Sequence, residues 1–472
     1  MRTEPLYLCG RWVETGQRAT ITNPFTGEPV RQVAQATEQE ADEAAREAAR
    51  AFEETRRLPV HARAEILRTT SGRIAERADE FARAIVEESG KPVKFARGEV
   101  ERAALTFRMA AEGVGRSAGE LVPLDVTKAT EGYFGYCVRV PRGPVLAIAP
   151  FNFPLNLVAH KVAPAIATGS PVVVKPPPQA PAAALLLAGI VGETAWPKGA
   201  LSVLPAPVVV AERMVAEERF KTVSFTGSDR VGWRIKERAG KKKVLLEMGG
   251  NAAAIVHSDA ELAWAAERLA LGAFAHAGQV CIKVQRVYVE RPAFAEFCER
   301  FVEAARKLPV GDPARPETVV GPMIDEDSAK RVEAWIVEAK GRGARALLEG
   351  ARRGNVLPPC VLVDVPDDAR VSCQEVFGPV AVLAAYETFG EAIARANASA
   401  YGLQAGVFTR DLGRVQEAVR SLDVGGVIVN DYPTFRVDNM PYGGVKDSGI
   451  GREGLAFAME ELSQIKMVAM RF

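Results

Sequence analysis

Residues 143–176 read GPVLAIAPFNFPLNLVAHKVAPAIATGSPVVVKP and contain two short apolar strands, Gly143–Ala149 and Pro171–Lys175, with a helical segment between them. The same alternation continues along the chain, with predicted strands at 201–204 and 221–225 and predicted helices at 181–194 and 229–239. Short apolar strands that alternate with helices are typical of a parallel sheet covered by helices on both faces. This stretch therefore predicts a doubly wound α/β domain that binds a nucleotide.

The flanking regions predict a mainly helical N-terminal part and a second α/β series. Apolar residues recur at helical spacing over 38–56, 62–89 and 91–115. The second series has predicted strands at 244–247, 253–257, 284–289, 380–384 and 427–430, and predicted helices at 259–276, 292–307 and 325–341. Two outlying strands are predicted at 133–140 and 463–470. The terminal one is of a kind that can pair with another subunit.

The composition limits the class of protein. A chain of 472 residues corresponds to about three domains. Its 48% hydrophobic and 25% charged residues exclude a disordered, collagen-like or coiled-coil chain. The net charge of +1 gives no reason to expect nucleic acid or an acidic membrane as a partner. The most apolar stretch, 143–158, is interrupted by prolines and is shorter than the ~18 apolar residues that a membrane span needs.

The cysteines and histidines indicate a reducing compartment and no metal. The six cysteines are scattered without a C-x-x-C pair, which does not fit a disulfide scaffold. None of the four histidines is spaced with a cysteine or another histidine as metal ligands are, so we expect no metal site. The N-terminus, MRTEPLY, lacks the apolar region of a signal peptide. We therefore expect a cytoplasmic protein.

Three groups of residues are candidates for chemistry. Glu247 ends an apolar strand and precedes Met-Gly-Gly, while Cys281 lies in AGQVCI at a helix-to-strand junction. Together they suggest a thiol nucleophile with a carboxylate base, although a buried structural cysteine and a capped glutamate fit the same spacing. Asn152, in PFNFP after an apolar strand, can stabilise an oxyanion or simply form a turn. Gly227 and Ser228 open a helix after a strand, which suits either a phosphate or a plain N-cap.

Eight motifs in one order make essentially the whole chain resemble the aldehyde dehydrogenase superfamily. In chain order they are Ala149-Pro-Phe-Asn152, Val174-Lys-Pro176, Phe225-Thr-Gly-Ser228, Leu246-Glu-Met-Gly-Gly250, Gly278-Gln-Val-Cys281, Glu375-Val-Phe-Gly-Pro379, Tyr401-Gly-Leu403 and Pro441-Tyr-Gly-Gly-Val-Lys-Asp-Ser-Gly449. Cys281 also follows Glu247 by 34 residues, as the family pattern requires. The chain looks most like the lactaldehyde and glyceraldehyde dehydrogenase branch.

The resemblance implies a mechanism. Cys281 attacks the aldehyde carbon, Asn152 and the Cys281 backbone N–H hold the oxyanion, and Glu247 activates the water that hydrolyses the thioester. The expected cofactor is NAD or NADP. The residues expected to contact it are Ala149, Pro150, Phe151, Lys175, Pro178, Gly227, Ser228, Val231, Gly249, Glu375 and Phe377.

Two departures from the family pattern affect the cofactor site. Many NAD-preferring relatives have a glutamate where this chain has Pro178, and that carboxylate would repel a 2′-phosphate. We therefore expect NADP to be tolerated. Pro205-Ala-Pro207 replaces the usual glycine-bearing loop, which alters the geometry expected for the adenosine pocket.

The resemblance also implies a three-part architecture and a homodimer or homotetramer. A Rossmann-like cofactor domain is expected at 1–118 and 141–246, and an α/β catalytic domain at 247–442. A small β oligomerisation element is expected to combine 119–140 with 443–472.

The substrate is expected to be a small polar aldehyde of the lactaldehyde or glyceraldehyde type. Arg108 and Arg436 lie where related enzymes hold polar or anionic aldehydes, and Phe153 is expected beside the substrate. Ion pairs at the surface are the alternative for both arginines. Val280 stands where relatives that act on phosphorylated or phosphonated aldehydes often have arginine. Phosphonoacetaldehyde, glyceraldehyde 3-phosphate and succinic semialdehyde remain alternatives.

Two rival hypotheses concern the reaction itself. An acylating dehydrogenase would pass the thioester to coenzyme A, but Glu247 argues against it because a base for water is then unnecessary. A catalytically silent protein on this fold would not need Asn152, Glu247, Cys281 and Glu375 together.

Overall fold

The computed structural model describes residues 3–116 and 119–472 of the chain. The strands are β1 Thr3–Glu4, β2 Leu6–Leu8, β3 Arg11–Val13, β4 Arg18–Thr22, β5 Pro29–Ala34, β6 Leu121–Pro123, β7 Tyr133–Pro141, β8 Val145–Ile148, β9 Val172–Lys175, β10 Leu201–Val203, β11 Thr222–Thr226, β12 Lys243–Glu247, β13 Ala253–Val256, β14 Arg286–Glu290, β15 Arg345–Leu348, β16 Cys360–Val363, β17 Val380–Tyr386, β18 Tyr401–Gly402, β19 Gln404–Phe408, β20 Gly426–Val429, β21 Val445–Lys446, β22 Gly449–Ile450 and β23 Ser463–Arg471. The α-helices are α1 Glu38–Thr55, α2 Val60–Glu76, α3 Ala78–Ser89, α4 Val93–Gly113, α5 Asn156–Thr168, α6 Ala182–Gly192, α7 Val208–Ala216, α8 Asp229–Arg238, α9 Leu262–Phe274, α10 Arg291–Arg306, α11 Glu326–Gly341, α12 Arg370–Cys373, α13 Phe389–Asn397, α14 Leu412–Ser421 and α15 Leu455–Leu462. Within this part of the chain, no helix is both long enough and apolar enough to cross a membrane.

An eight-stranded sheet contains the strands of the stretch 143–176. Its order is β22-β12-β11-β8-β9-β10-β2-β3, and the five strands from β12 to β10 run parallel. Strands β8 to β11 are buried along their whole length because α2 to α6 and α15 pack on one face and α1, α7 and α8 on the other. The doubly wound fold class predicted from the sequence is confirmed.

A seven-stranded sheet forms from the second α/β series. Its order is β15-β16-β17-β14-β13-β19-β20. The six strands from β16 to β20 in this order run parallel, and the edge strand β15 is antiparallel to β16. Helices α9, α10 and α11 cover one face, and α13 and α14 cover the other.

A separate three-stranded antiparallel sheet joins two distant parts of the chain. Strand β23 pairs with β7 over nine residues, and β7 pairs with β6. The domain boundaries stay a prediction, and residues 1, 2, 117 and 118 lie outside the described part of the chain.

Two helices differ from their predicted bounds. The stretch predicted as one helix over 62–89 is two helices, because the backbone leaves the helical region at Arg77 (φ −104°, ψ 23°). The helix predicted to reach residue 276 ends at Phe274, and a tight turn over 275–278 follows. In that turn His276 and Ala277 both have positive φ, near 53° and 54°. No proline marks the helix end at Arg77 or the turn at 275–278. Apolar spacing alone therefore does not reveal where these helices end.

Candidate active site

Four of the candidate segments lie at the carboxyl ends of parallel strands in the eight-stranded sheet. Residues 150–153 follow β8, Lys175 ends β9, Gly227 follows β11 and Glu247 ends β12. Open α/β sheets bind their ligands at this edge, because the connections leave a crevice there. The topology therefore brings together segments that are separated by up to a hundred residues in sequence.

The candidate nucleophile, Cys281, lies in the segment between α9 and β14. Gly278 in the preceding turn is required sterically, because a Cβ there would lie 2.4 Å from the Gly378 carbonyl oxygen. The thiol is partly accessible, and its Sγ lies 2.8 Å from Tyr442 Oη. Burial raises the pKa of the Cys281 thiol to about 11, although the hydrogen bond with Tyr442 and the charge of Arg436 lower it. The free thiol is therefore mostly protonated at neutral pH.

Asn152 connects the loop after β8 to the turn that carries Cys281. Its side-chain Nδ2 donates a hydrogen bond to the Gln279 carbonyl at 3.0 Å, and the residue is buried. A side-chain amide has two N–H donors, so one remains for an oxyanion. Gln279 is itself anchored, since its Nε2 donates to the Pro322 carbonyl and its Oε1 accepts from the Ile324 N–H. These bonds fix the amide against the segment that carries Cys281.

Glu247 is a buried carboxyl group in the same region. A Cβ at Gly443 would lie 2.8 Å from Glu247 Oε1, so only glycine leaves room for this carboxyl group. Its Oε2 has no hydrogen-bond partner among the described residues. Burial raises the pKa of Glu247 well above its usual value, and the negative charge of Glu453 adds to this effect. A carboxylate with a raised pKa is a stronger base than an exposed one.

A buried network of charges next to Glu247 was not singled out from the sequence. Lys161 on α5 donates to Glu453 Oε1 at 3.0 Å and to Thr226 Oγ1 at 2.7 Å. Arg436 donates to Glu453 Oε2 at 2.9 Å. The positive charges of Lys161 and Arg436 hold the pKa of Glu453 well below its usual value, which keeps this carboxylate ionised. The pairs span up to 292 residues of sequence, so only the fold reveals them.

The segment that carries Arg436 is fixed by a second buried carboxylate, Asp438. Arg102 donates to both of its oxygens, at 2.6 and 3.1 Å, and His160 Nε2 lies 2.8 Å from Oδ1. These partners hold the pKa of Asp438 far below its usual value. Helices α4 and α5 therefore anchor the loop between β20 and β21.

One half of the candidate cofactor cradle is formed by Lys175, Gly227 and Ser228. The Ala149 N–H donates to the Lys175 carbonyl at 3.2 Å, which aligns the ends of β8 and β9. Burial lowers the pKa of the Lys175 ammonium group to about 8. Ser228 is the N-cap of α8, but its side chain makes no capping hydrogen bond. Its hydroxyl is thus available to a phosphate, whereas the Arg230 N–H at the same end of α8 already donates to Asp229 Oδ1 at 2.7 Å.

The other half of the cradle comes from the segment after α12. Glu375 accepts a hydrogen bond from the Gly250 N–H at 3.0 Å, and burial raises the pKa of Glu375 to about 7. A Cβ at Gly249 would lie 2.1 Å from a Glu375 carboxylate oxygen, so this close approach needs glycine. The Phe377 ring meets the Phe151 ring edge to face, with centroids 5.9 Å apart. A lysine, a buried carboxylate, two aromatic rings and a helix N-terminus with no side-chain cap from Ser228 are groups that fit a dinucleotide.

The remaining residues expected to contact the cofactor differ in their exposure. Ala149 is buried, Pro150 is partly buried, and Pro178 and Val231 are exposed. Pro178 carries no charge at the position where many NAD-preferring relatives have a glutamate. Ala206, in the loop 205–207 before α7, is buried.

The three expected substrate residues are placed differently. Arg108 is exposed on α4. The Phe153 ring lies under the ammonium group of Lys91, 3.6 Å from the ring centroid, and Lys91 forms a buried ion pair with Glu99. The Arg436 side chain is only 8% exposed and already pairs with Glu453, although its Nε has no partner among the described residues. Arg436 is therefore buried, and the alternative of an ion pair at the protein surface does not apply to it.

Comparisons with known proteins agree with this geometry. The chain matches the model of the aldehyde dehydrogenase family over residues 12–468. It is 42% identical over 466 residues to the 3-sulfolactaldehyde dehydrogenase of Priestia megaterium, covering 98% of this chain and 97% of that protein. It is 39% identical over 469 residues to the lactaldehyde dehydrogenase of Methanocaldococcus jannaschii, covering 98% of this chain and 99% of that protein.

Solved structures are similarly close. Aldehyde dehydrogenase 21 from Physcomitrella patens, in complex with the reaction product succinate, has a TM-score of 0.98 and 42% identity, covering 100% of this chain and 98% of that chain. The glyceraldehyde-3-phosphate dehydrogenase GapN from Methanocaldococcus jannaschii, complexed with NADP, has a TM-score of 0.93 and 38% identity, covering 97% of this chain and 100% of that chain. This chain therefore belongs to the aldehyde dehydrogenase family.

Proposed function

We propose that this enzyme oxidises a short polar aldehyde, of the lactaldehyde or glyceraldehyde type, to the carboxylic acid with NAD or NADP. The observation that carries the proposal is the meeting of three groups at one edge of the sheet. The Cys281 thiol, the Asn152 amide bonded to the Cys281 turn, and the buried Glu247 carboxyl group converge there.

The first half of the proposed reaction forms a thioester on Cys281. The Cys281 thiolate adds to the aldehyde carbon, and the carbonyl oxygen becomes an oxyanion. The free N–H of Asn152 and the Cys281 backbone N–H stabilise this charge. Lys175, Glu375 and the N-terminus of α8 would hold NAD(P), which would supply the hydride acceptor. The oxyanion would then collapse to the thioester as the hydride leaves the carbon.

The second half releases the acid. Glu247 accepts a proton from water as the water oxygen attacks the thioester carbon, and the Cys281 thiolate leaves. The raised pKa of Glu247 makes it an effective base for this step. The products are the carboxylic acid and the regenerated thiolate, with the water proton held on Glu247 until it is lost to solvent.

We propose that the cofactor site accepts NADP as well as NAD. The exposed Pro178 places no carboxylate near the site of a 2′-phosphate. Lys175 ends β9 and is a cation that could stabilise the phosphate, although burial lowers the pKa of its ammonium group to about 8. GapN, which is 38% identical, was solved with NADP, and this supports the assignment.

An anionic aldehyde is a second candidate substrate, and Arg436 favours it. This guanidinium group is buried beside Tyr442 and Cys281, and its Nε is not paired among the described residues. A carboxylate, sulfonate or phosphate on the substrate could accept a hydrogen bond from it. The relative from Priestia megaterium is named for 3-sulfolactaldehyde, which combines a hydroxyaldehyde with a sulfonate. Val280 provides no second cation next to the nucleophile.

Initial rates of nicotinamide reduction with a panel of aldehydes test the substrate. Lactaldehyde, glyceraldehyde, 3-sulfolactaldehyde, glyceraldehyde 3-phosphate, succinic semialdehyde and phosphonoacetaldehyde would each be measured with NAD and with NADP. The proposal predicts the highest kcat/KM for an uncharged hydroxyaldehyde, and a higher value for any anionic aldehyde favours the second candidate. Arg108→Leu should raise KM for polar aldehydes more than for propanal, and an equal effect on both removes its proposed role.

Coenzyme A separates the hydrolytic reaction from the acylating one. With Glu247 as the base for water, addition of coenzyme A should change neither the rate nor the product. Formation of an acyl-coenzyme A would instead identify an acylating dehydrogenase.

We also propose that the enzyme is a cytoplasmic homodimer or homotetramer. Ile465 and Met467 on β23 are 64% and 44% exposed, and Leu121 on β6 is 74% exposed. The strand register places Ile465 and Met467 on one face of the three-stranded sheet and Leu121 on the other. A second copy of the chain is the partner that these exposed apolar side chains suit. The six cysteines are all free, which fits a reducing compartment. Light scattering after size exclusion should give a mass at least twice that of one chain, and a monomer would contradict the proposal.

A further inference from the structure

Tyr442 makes direct contact with the nucleophile, although the proposed mechanism does not use it. Its Oη lies 2.8 Å from Cys281 Sγ, and the residue is 3% exposed. The tyrosine ring packs against Ile282 and Leu403, with Val280 at the edge of the same apolar cluster. A phenylalanine ring would fill this cluster equally well, so packing alone does not require the hydroxyl group.

A closed set of contacts fixes the position of the Tyr442 ring. The backbones of Tyr442 and Glu453 exchange two hydrogen bonds, at 3.0 and 2.7 Å. The Glu453 carboxylate accepts from Arg436 at 2.9 Å, and the Arg436 guanidinium carbon lies 3.8 Å from the centroid of the Tyr442 ring. Arg436 is thus held from one side by an ion pair and covers the tyrosine ring from the other. This arrangement leaves the phenol little freedom to turn away from the thiol.

The charges around the thiol determine which atom is the donor. Burial raises the pKa of Tyr442 well above its usual value, so the phenol keeps its proton at neutral pH. A thiolate can only accept a hydrogen bond, so once Cys281 ionises the Tyr442 hydroxyl must be the donor. The positive charge of Arg436 over the ring strengthens the phenol as a donor. Among the described residues, the charges of Glu247 and Glu375 oppose ionisation of the thiol, whereas the charge of Arg436 favours it.

We infer that Tyr442 donates a hydrogen bond to the Cys281 thiolate and so increases the fraction of nucleophile that is ionised, with Arg436 as the residue that positions the phenol. The inference rests on the proposed role of Cys281 as the nucleophile. It assigns to the motif Pro441-Tyr-Gly-Gly a chemical role that a phenylalanine at the same place could not perform.

The test compares Tyr442→Phe with the wild-type enzyme in two assays. The first is the rate of Cys281 alkylation by iodoacetamide between pH 7 and 9.5, and the second is kcat/KM for the best aldehyde over the same range. Loss of a hydrogen bond to a charged group should reduce the thiolate fraction about tenfold at a given pH. Alkylation should then fall about threefold, because a thiolate of higher pKa is intrinsically more nucleophilic, and the pH profile of kcat/KM should move upward by about one unit.

A matched control is available at Tyr432, whose ring also stacks on an arginine, with the Arg268 guanidinium carbon 3.9 Å from the ring centroid. Tyr432→Phe should leave both profiles unchanged. Arg436→Lys keeps a charge for Glu453 but loses the planar stack, and it should shift the alkylation profile in the same direction as Tyr442→Phe. This second variant also decides the matter if Tyr442→Phe does not fold, since iodoacetamide alkylation needs no aldehyde.

The outcomes separate this inference from the proposed function. Profiles of Tyr442→Phe and Arg436→Lys that coincide with those of the wild type overturn the inference. If Cys281→Ala keeps its turnover, the proposed function itself fails. An inactive Cys281→Ala together with the shifted profiles supports both.

Discussion

Replacing Glu247 by glutamine should separate the two halves of the proposed reaction. Glu247 is 4% exposed, and its Oε2 is unpartnered among the described residues. Glutamine has nearly the same shape and no charge, so the change removes the base without leaving a cavity or a buried charge. Formation of the thioester on Cys281 does not need this base in the proposed mechanism, whereas hydrolysis does. The variant should therefore accumulate the thioester.

The expected magnitude follows from the contribution of a general base. Such a base accelerates a reaction by ~10²–10⁴-fold, so kcat should fall by that factor, equivalent to ~2.7–5.5 kcal/mol in the barrier. Rapid mixing with saturating aldehyde and cofactor, followed by nicotinamide absorbance, should show a burst of about one reduced cofactor per site and then slow turnover. The exposed Glu267 on α9 offers a control, since Glu267→Gln should leave kcat unchanged. A wild-type kcat in Glu247→Gln would refute the reasoning, as would the loss of burst and turnover together in a variant that still binds the cofactor.

Three further predictions follow from individual contacts. Gly249→Ala should raise KM for the cofactor at least about tenfold in initial-rate assays, because a Cβ 2.1 Å from a carboxylate oxygen must displace Glu375. An unchanged KM would contradict this prediction. The rate of Cys281 alkylation in the free enzyme should rise about tenfold per pH unit between pH 7 and 9, because burial raises the pKa of the thiol to about 11. A rate that reaches a plateau below pH 8 would disprove this prediction. Lys91→Met should lower the free energy of unfolding by ~3–5 kcal/mol in urea titrations, because it leaves Glu99 charged and unpaired in the interior; a change below ~1 kcal/mol would exclude a structural ion pair.

Much of the fold could be predicted because its signals are local. The short apolar strands β8, β9 and β11 alternate with helices over a few tens of residues, and each stands within two residues of its predicted bounds. The break at Arg77 was missed because the apolar spacing continues across it. The turn at His276 was missed for a different reason, since two non-glycine residues adopt a left-handed backbone there that is determined by the surrounding structure.

The candidate site divides in the same way. Glu247 and Cys281 stand in short motifs whose spacing can be read directly from the chain. The contacts that determine their chemistry connect distant segments, as when Glu453 meets Lys161 across 292 residues. The motif containing Tyr442 was recognised, but its hydrogen bond to Cys281 crosses 161 residues and depends on how two loops pack. Sequence patterns therefore identify the reacting groups, and the tertiary structure supplies the charges that control them.

Mass spectrometry of the quenched enzyme would detect the thioester on Cys281 itself. Wild-type enzyme would be mixed with glyceraldehyde or lactaldehyde and NADP, quenched in acid within one turnover, digested and examined for acyl adducts. We expect one adduct with the mass of the oxidised acyl group on the peptide that contains Cys281. Its occupancy should be higher in Glu247→Gln, and it should be absent in Cys281→Ala. An adduct on any of the other five cysteines, or turnover without an adduct in Glu247→Gln, would contradict it.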